Sequence, residues 1–145
     1  MPASGIKLPD ANIWLAVAVD GHSHHAAARD WFNAQPERTC ALCRVTQMAL
    51  LRHLTNSKIM GENVQSQVEA WQAYDVFRKD SRVIFLEEPA ALEAAFRGFA
   101  ESASPSHERW TDAYLAAFAA RIPAQLVTFD KGFSRFAGLD LHLLA

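Results

Sequence analysis

Five short apolar runs, Ile6 to Leu8, Thr39 to Leu42, Val83 to Leu86, Leu126 to Phe129 and Leu141 to Leu144, are separated by longer segments with apolar residues at helical spacing. Strands that are apolar throughout, rather than alternating, are buried on both faces, and the intervening helices supply the cover. This pattern predicts an α/β fold: a three-layer α/β/α sandwich around a mostly parallel central sheet. With 145 residues, half of them hydrophobic, the chain can fill one core and is read as a single domain over residues 1–145. No apolar stretch is long enough to span a bilayer, and Met1 to Gly5 lacks the charged and apolar regions of a secretory signal. The expected setting is therefore cytoplasmic, with no membrane partner.

The helical segments can be placed from their caps and apolar faces. Ile13, Trp14, Leu15 and Val17 mark a first helix over 11–19, ended near Asp20-Gly21. Ser23 is expected to cap a second, which Pro36 stops. Thr46 is expected to cap a third, with Leu50, Leu51 and Leu54 on one face, and residues 56–61 read as a loop. A long helix over 66–77 places Val68, Trp71 and Phe77 near helical spacing. Pro89 fits the first turn of the next helix, with Leu92, Ala95, Phe96 and Phe99 inward. After a polar loop over 102–106, a last helix over 108–121 carries Asp112 on its first turn.

Two strands run directly into an acid, Asp10 and Asp130, and Asp112 opens a helix. Each has a local explanation: Asp10 as an N-cap, Asp112 in the favourable field of a helix dipole, Asp130 in a turn with Lys131-Gly132. Their joint occurrence at the ends where α/β sheets place their sites points to one shared site. Carboxylates gathered at a buried sheet edge need a counter-charge, which a divalent cation provides. Asp10, Asp112 and Asp130 are thus candidate ligands for Mg²⁺ or Mn²⁺ in phosphodiester hydrolysis.

Other features carry less. The net charge of −2 exerts no global pull on nucleic acid, although Arg44, Arg52, His53 and Lys58, and separately Lys131 and Arg135, are local basic groups. Cys40 and Cys43 form a CxxC pair without a second pair to complete a zinc site, and are read as buried thiols. His22, His24 and His25 lack the spacing of a closed metal set and are read as solvated. Trp14, Trp31, Trp71 and Trp110 are read as core residues.

Taken together, four segments carry a family resemblance. Leu8-Pro9-Asp10-Ala11-Asn12-Ile13-Trp14-Leu15-Ala16 resembles the opening of a PIN domain, and residues 110–117 and 126–133 resemble its two closing motifs. Cys43-Arg44-Val45-Thr46-Gln47-Met48-Ala49-Leu50-Leu51-Arg52 resembles the central helix motif of VapC-type toxins, and residues 22–28 resemble their second helix. The resemblance implies a PIN-like fold and a metal-dependent endoribonuclease acting on structured RNA such as tRNA or rRNA. It further implies a homodimer inhibited by a cognate VapB-like antitoxin. By motif match, Asp10, Asp112 and Asp130 would be the catalytic metal ligands. Asn12 and Thr128 would orient ligands or water, Thr46 would hydrogen-bond in the same cleft, and Arg44, Arg52 or Lys131 would position the RNA backbone.

One departure qualifies the match. Most relatives carry a glutamate in the central helix motif, whereas this chain has none between Arg38 and Met60; Gln47 stands where several relatives place Glu or Gln, and Ala49 is the alternative alignment for the more usual Glu position. Glutamine keeps an oxygen but loses a charge and any general-base role, so metal affinity should fall. The alternative to the nuclease is accordingly a PIN-like module that binds RNA or an antitoxin without cleaving. A haloacid-dehalogenase-like phosphatase fits poorly, because it wants a second acid where Asn12 stands.

Overall fold

The switch in strand order determines where a site can form. In the computed structural model, which describes residues 4–102 and 104–145, the strands are β1 (Lys7–Pro9), β2 (Cys40–Leu42), β3 (Val83–Phe85), β4 (Gln125–Thr128) and β5 (Leu141–Leu143). They form one sheet in the order β3-β2-β1-β4-β5, every neighbouring pair parallel. The chain winds outward from β1 to β3, then returns to build β4 on the other side of β1. The crevice between the C-terminal ends of β1 and β4 is thus the topological switch point, where open α/β sheets bind ligands. The expected sandwich and parallel sheet are both present. The readings of Met1 to Ala3, and of Ala103 in the polar loop, lie outside the described residues.

Helices α1 (Ala11–Ala18), α2 (His25–Asn33), α3 (Arg44–Leu54), α4 (Ser57–Met60) and α5 (Gln67–Lys79) precede α6 (Leu92–Ala100) and α7 (Arg109–Arg121). Side-chain alternation along each strand divides the interior into two cores. Cys40, Leu42 and Val127 join Ile13, Trp14, Phe32, Leu50, Leu54 and Phe77 on one face. Leu8, Ala41 and Leu126 join Leu115, Phe118 and Phe133 on the other. Trp14 anchors the first core, with its ring edge-on to Phe77 at 4.9 Å and to Phe32 at 6.0 Å. In α7, Ala113, Ala116, Ala117 and Ala119 are all buried, and their small side chains let the helix backbone lie close to its neighbours.

Several local expectations are corrected. The third helix starts at Arg44, because Cys43 takes the capping position and the Thr46 hydroxyl reaches back to accept from its N–H at 3.1 Å. Thr46 is therefore the third residue of a capping box rather than the cap. The second helix begins at His25, so Ser23 is not its cap. Residues 57–60 are helical, capped by the Asn56 side chain accepting from Lys58 N at 3.0 Å, and a 3-10 turn over Gly61–Asn63 follows. Pro89 lies ahead of α6, which is preceded by Ala91 in a left-handed conformation that the sequence does not signal.

The inward face of α5 is Ala70, Tyr74 and Phe77, spaced four and three apart, while Val68 and Trp71 are exposed. Trp110 is also exposed and Trp31 half-buried, so only Trp14 is a fully buried core tryptophan. Both cysteines are buried free thiols, as expected, and burial pushes Cys40 up to about 11. No described helix is long and apolar enough to cross a membrane.

Candidate active site

Thr128, the last residue of β4, is fully buried and organises the crevice. Its hydroxyl donates to Asp10 Oδ2 at 3.0 Å and accepts from Asp130 N at 3.0 Å and from Asn12 Nδ2 at 3.2 Å. One side chain thus ties the end of β1, the first turn of α1 and the loop after β4 to a common point. Asp10 also caps α1, its Oδ1 accepting from Ala11 N at 2.7 Å. The capping reading of this residue therefore holds, and the same carboxylate faces the crevice through its other oxygen. Asp130 Oδ1 accepts from Gly132 N at 2.8 Å, which fixes the carboxylate at the start of a 3-10 turn over Lys131–Arg135. A Cβ on Gly132 would stand 3.0 Å from Asp130 Oδ1 and 2.8 Å from Arg135 Nη1, so a side chain there would press on the Asp130 carboxylate and displace the Arg135 guanidinium.

Asp112 reaches the crevice from the first turn of α7. Its Oδ2 accepts from Arg135 Nη2 at 3.1 Å. Burial pushes the Asp10 carboxyl up to about 6, against the lowering effect of its Thr128 and Ala11 hydrogen bonds, and the negative charges of Asp112 and Asp130 add to the rise. Burial likewise raises Asp112, opposed by Arg135. The three aspartates therefore share one electrostatic neighbourhood that disfavours three bare negative charges.

That environment suits a hard divalent cation, because every nearby donor is a carboxylate, amide or hydroxyl oxygen. The acids are not preassembled as a coordination set, however. Among the described residues, no three histidine, cysteine, aspartate or glutamate side chains converge closely enough to hold a metal ion. Arg135 already engages one of the carboxylates.

The remaining sequence candidates fall elsewhere or play other parts. The Thr46 hydroxyl is committed to the Cys43 backbone, accepting from its N–H and donating to its carbonyl at 3.1 Å, and hydrogen-bonds to no residue of the crevice. Gln47 is buried, but its Oε1 accepts from Arg44 Nη1 at 2.7 Å, and Arg44 lies over the Phe85 ring. Arg52 lines a separate cavity between α3 and α5, with Met48 and Trp71. Lys131 is exposed immediately after Asp130.

Three relationships were missed in the sequence. Arg135 is the partner of Asp112, a pairing across 23 residues that no local pattern announces. His24 stacks on Phe129 with ring centroids 4.4 Å apart, and His25 Nδ1 lies 2.7 Å from Ala16 O, so the histidines are not simply solvated.

A sequence profile of the PIN domain matches residues 7–139. Ribonuclease VapC41 of Mycobacterium tuberculosis is 44% identical over 143 residues, covering 95% of this chain and 98% of that one. The crystal structure of the sarcin–ricin loop cleaving toxin VapC20 of the same organism superposes with a TM-score of 0.67 at 17% identity, over 92% of this chain and 97% of that one. DNA-bound VapBC from Salmonella typhimurium gives 0.66 at 17% identity, over 94% and 96%. The chain belongs to the PIN-domain family, in its VapC branch.

Proposed function

We propose that this protein is a divalent-metal-dependent endoribonuclease that hydrolyses RNA phosphodiester bonds as the toxin of a toxin–antitoxin pair. The observation that carries the reading is the Thr128 hydroxyl joining Asp10, Asn12 and Asp130 at the switch point, with Asp112 facing them. The near full-length likeness to a VapC ribonuclease supports the same chemistry.

In this reading Asp10, Asp112 and Asp130 hold Mg²⁺ or Mn²⁺. When bound, the cation would lower the pKa of a water nucleophile and stabilise charge on the phosphoryl oxygens. Thr128 and the Ala11 N–H orient the Asp10 carboxylate, and the Gly132 N–H orients that of Asp130. Asn12 locks the hydroxyl of Thr128 from the other side, so the two strand ends stay in register. Arg135 neutralises Asp112 in the absence of a cation. Gln47 holds Arg44, and Arg44, Arg52 and Lys131 are the cations offered to the RNA backbone, with tRNA or rRNA as the substrate class.

The partner in the cell is a VapB-like antitoxin, a reading supported by the VapBC neighbour. Homodimerisation through α3 and α5 is supported by the exposed apolar side chains Met48, Val68, Trp71 and Val76. The whole chain is taken to act as one PIN unit.

The test is cleavage of total tRNA and rRNA by pure, antitoxin-free protein with Mn²⁺, alongside the same reaction in EDTA. Cleavage with Mn²⁺ alone supports the enzyme. Binding of RNA or antitoxin without cleavage of any RNA would establish the non-cleaving module instead.

A further inference from the structure

A cavity of about 610 Å³ lies between α6, α7 and the 3-10 turn, and of its lining only Arg135 belongs to the site described above. Three guanidinium groups line it: Arg109, Arg121 and Arg135. One carboxylate, the exposed Glu101, faces them. Among the described residues neither Arg109 nor Arg121 has an ion pair, and their hydrogen bonds are single long contacts to the carbonyls of Phe99 and Ala90, at 3.5 and 3.3 Å. Phe136 forms a buried aromatic floor. Arg135 lies 4.6 Å and Arg109 5.6 Å from its ring centroid, so cation–π contact orients two of the three cations.

Arg109 and Arg121, which have no carboxylate partner among the described residues, are suited to phosphate oxygens, which arginines bind through paired N–H donors. Arg135 also fixes where the cavity lies relative to the acids. Its Nη2 donates to Asp112 and its Nη1 to Gly132 O at 2.8 Å, leaving three of its five N–H groups for a ligand. The same side chain therefore forms a wall of the cavity and the counter-charge of the acidic crevice.

We propose that this cavity is a phosphodiester-binding subsite for the RNA strand, holding a phosphate that flanks the scissile bond. The inference rests on the nuclease reading for the identity of the strand. Excess positive charge favours a polyanion, and the link through Arg135 to Asp112 favours the substrate over a ligand unrelated to the reaction. A phosphate seated here also draws on the guanidinium that Asp112 uses, so strand binding and the state of the acids are coupled through one residue.

Gly98 supplies a clean test. It lines the cavity, and a Cβ built on it meets nothing within 4 Å, so a large side chain there blocks the opening without a clash at its base. Full-length protein in EDTA would be titrated with a fluorescein-labelled single-stranded RNA of about eight nucleotides, followed by anisotropy. Gly98→Trp and Arg121→Glu should each weaken binding roughly tenfold, and Arg121→Ala should reduce the slope of log affinity against log salt by about 0.7. Lys79→Glu, an equal charge change at the end of α5, should stay within about twofold of wild type. Circular dichroism melting confirms that each variant folds.

Wild-type affinity in both Gly98→Trp and Arg121→Glu would overturn the subsite even if RNA is still cleaved with Mn²⁺. So would loss of antitoxin binding alone, which would assign the cavity to that partner. Inorganic phosphate competing as well as the oligomer would show a lone-anion site and likewise overturn it. Conversely, binding that depends on Arg121 in a protein that cleaves nothing would sustain the subsite and sink the nuclease reading.

Discussion

Arg135 Nη2 donates to Asp112 Oδ2 at 3.1 Å, so one of the three crevice carboxylates is already paired with a cation belonging to the chain itself. A metal ion must compete with that guanidinium. Both side chains are partly exposed, which limits the pair to about 1 kcal/mol after solvent screening. Arg135→Gln should therefore raise Mn²⁺ affinity about two- to fivefold by calorimetric titration. The same variant should weaken RNA binding, since Arg135 also lines the cavity above Phe136. Opposite signs in the two titrations are the expected result, and reduced Mn²⁺ affinity would contradict the competition.

The raised Asp10 carboxyl makes metal-free stability depend on pH. Its folded value of about 6 lies above the ordinary 3.8, so the folded state holds the proton more tightly than the unfolded chain. The resulting stabilisation is fully present below about pH 4 and is lost as pH rises through about 6. Asp10→Asn should therefore gain about 1–3 kcal/mol over wild type at pH 7.5 and much less at pH 4. Denaturant melts in EDTA at both pH values measure this. A difference between the two proteins that is the same at both would contradict the buried-acid description.

Mn²⁺-dependent cleavage at subsaturating metal should fall as pH drops through about 6, because protonated Asp10 is a poor ligand. Saturating metal favours the ionised carboxylate and should move that limb to lower pH. A pH profile indifferent to metal concentration would speak against Asp10 as a ligand.

Thr128→Val removes a hydroxyl while keeping the shape of the side chain. It leaves Asp10 Oδ2, Asp130 N and Asn12 Nδ2 without their shared partner. The variant should lose about 1–3 kcal/mol of stability and about 10- to 100-fold in cleavage or Mn²⁺ affinity. Thr128→Ser should restore most of both, because the hydroxyl rather than the methyl group makes the contacts.

Much of this organisation was legible in the chain. Both-face burial of the strands made their runs apolar, Asp10 directly follows β1 and Asp130 comes two residues after β4, so the sheet and its acidic edge could be read locally. Asp112 was readable because a first-turn acid is conspicuous. The limits are equally physical. Thr46 gives the same sequence signal as a cap or as the third residue of a capping box, and only the Cys43 N–H distinguishes them. Val68 and Trp71 fit a helical period, but α5 turns Ala70, Tyr74 and Phe77 inward. The partner of Arg135 is set by how α7 lies against the turn after β4, a tertiary relationship with no local trace.

The proposed catalysis depends above all on Asp10, Asp112 and Asp130 acting together on one metal ion. The direct measurement is calorimetric titration of Mn²⁺ into pure wild type and into Asp10→Asn, Asp112→Asn and Asp130→Asn at pH 7.5, with RNA cleavage assayed on the same preparations. Each variant is predicted to lose at least about tenfold in Mn²⁺ affinity and to lose cleavage with it. Mn²⁺ binding by all three variants at wild-type strength, or undiminished wild-type cleavage in EDTA, would contradict the account.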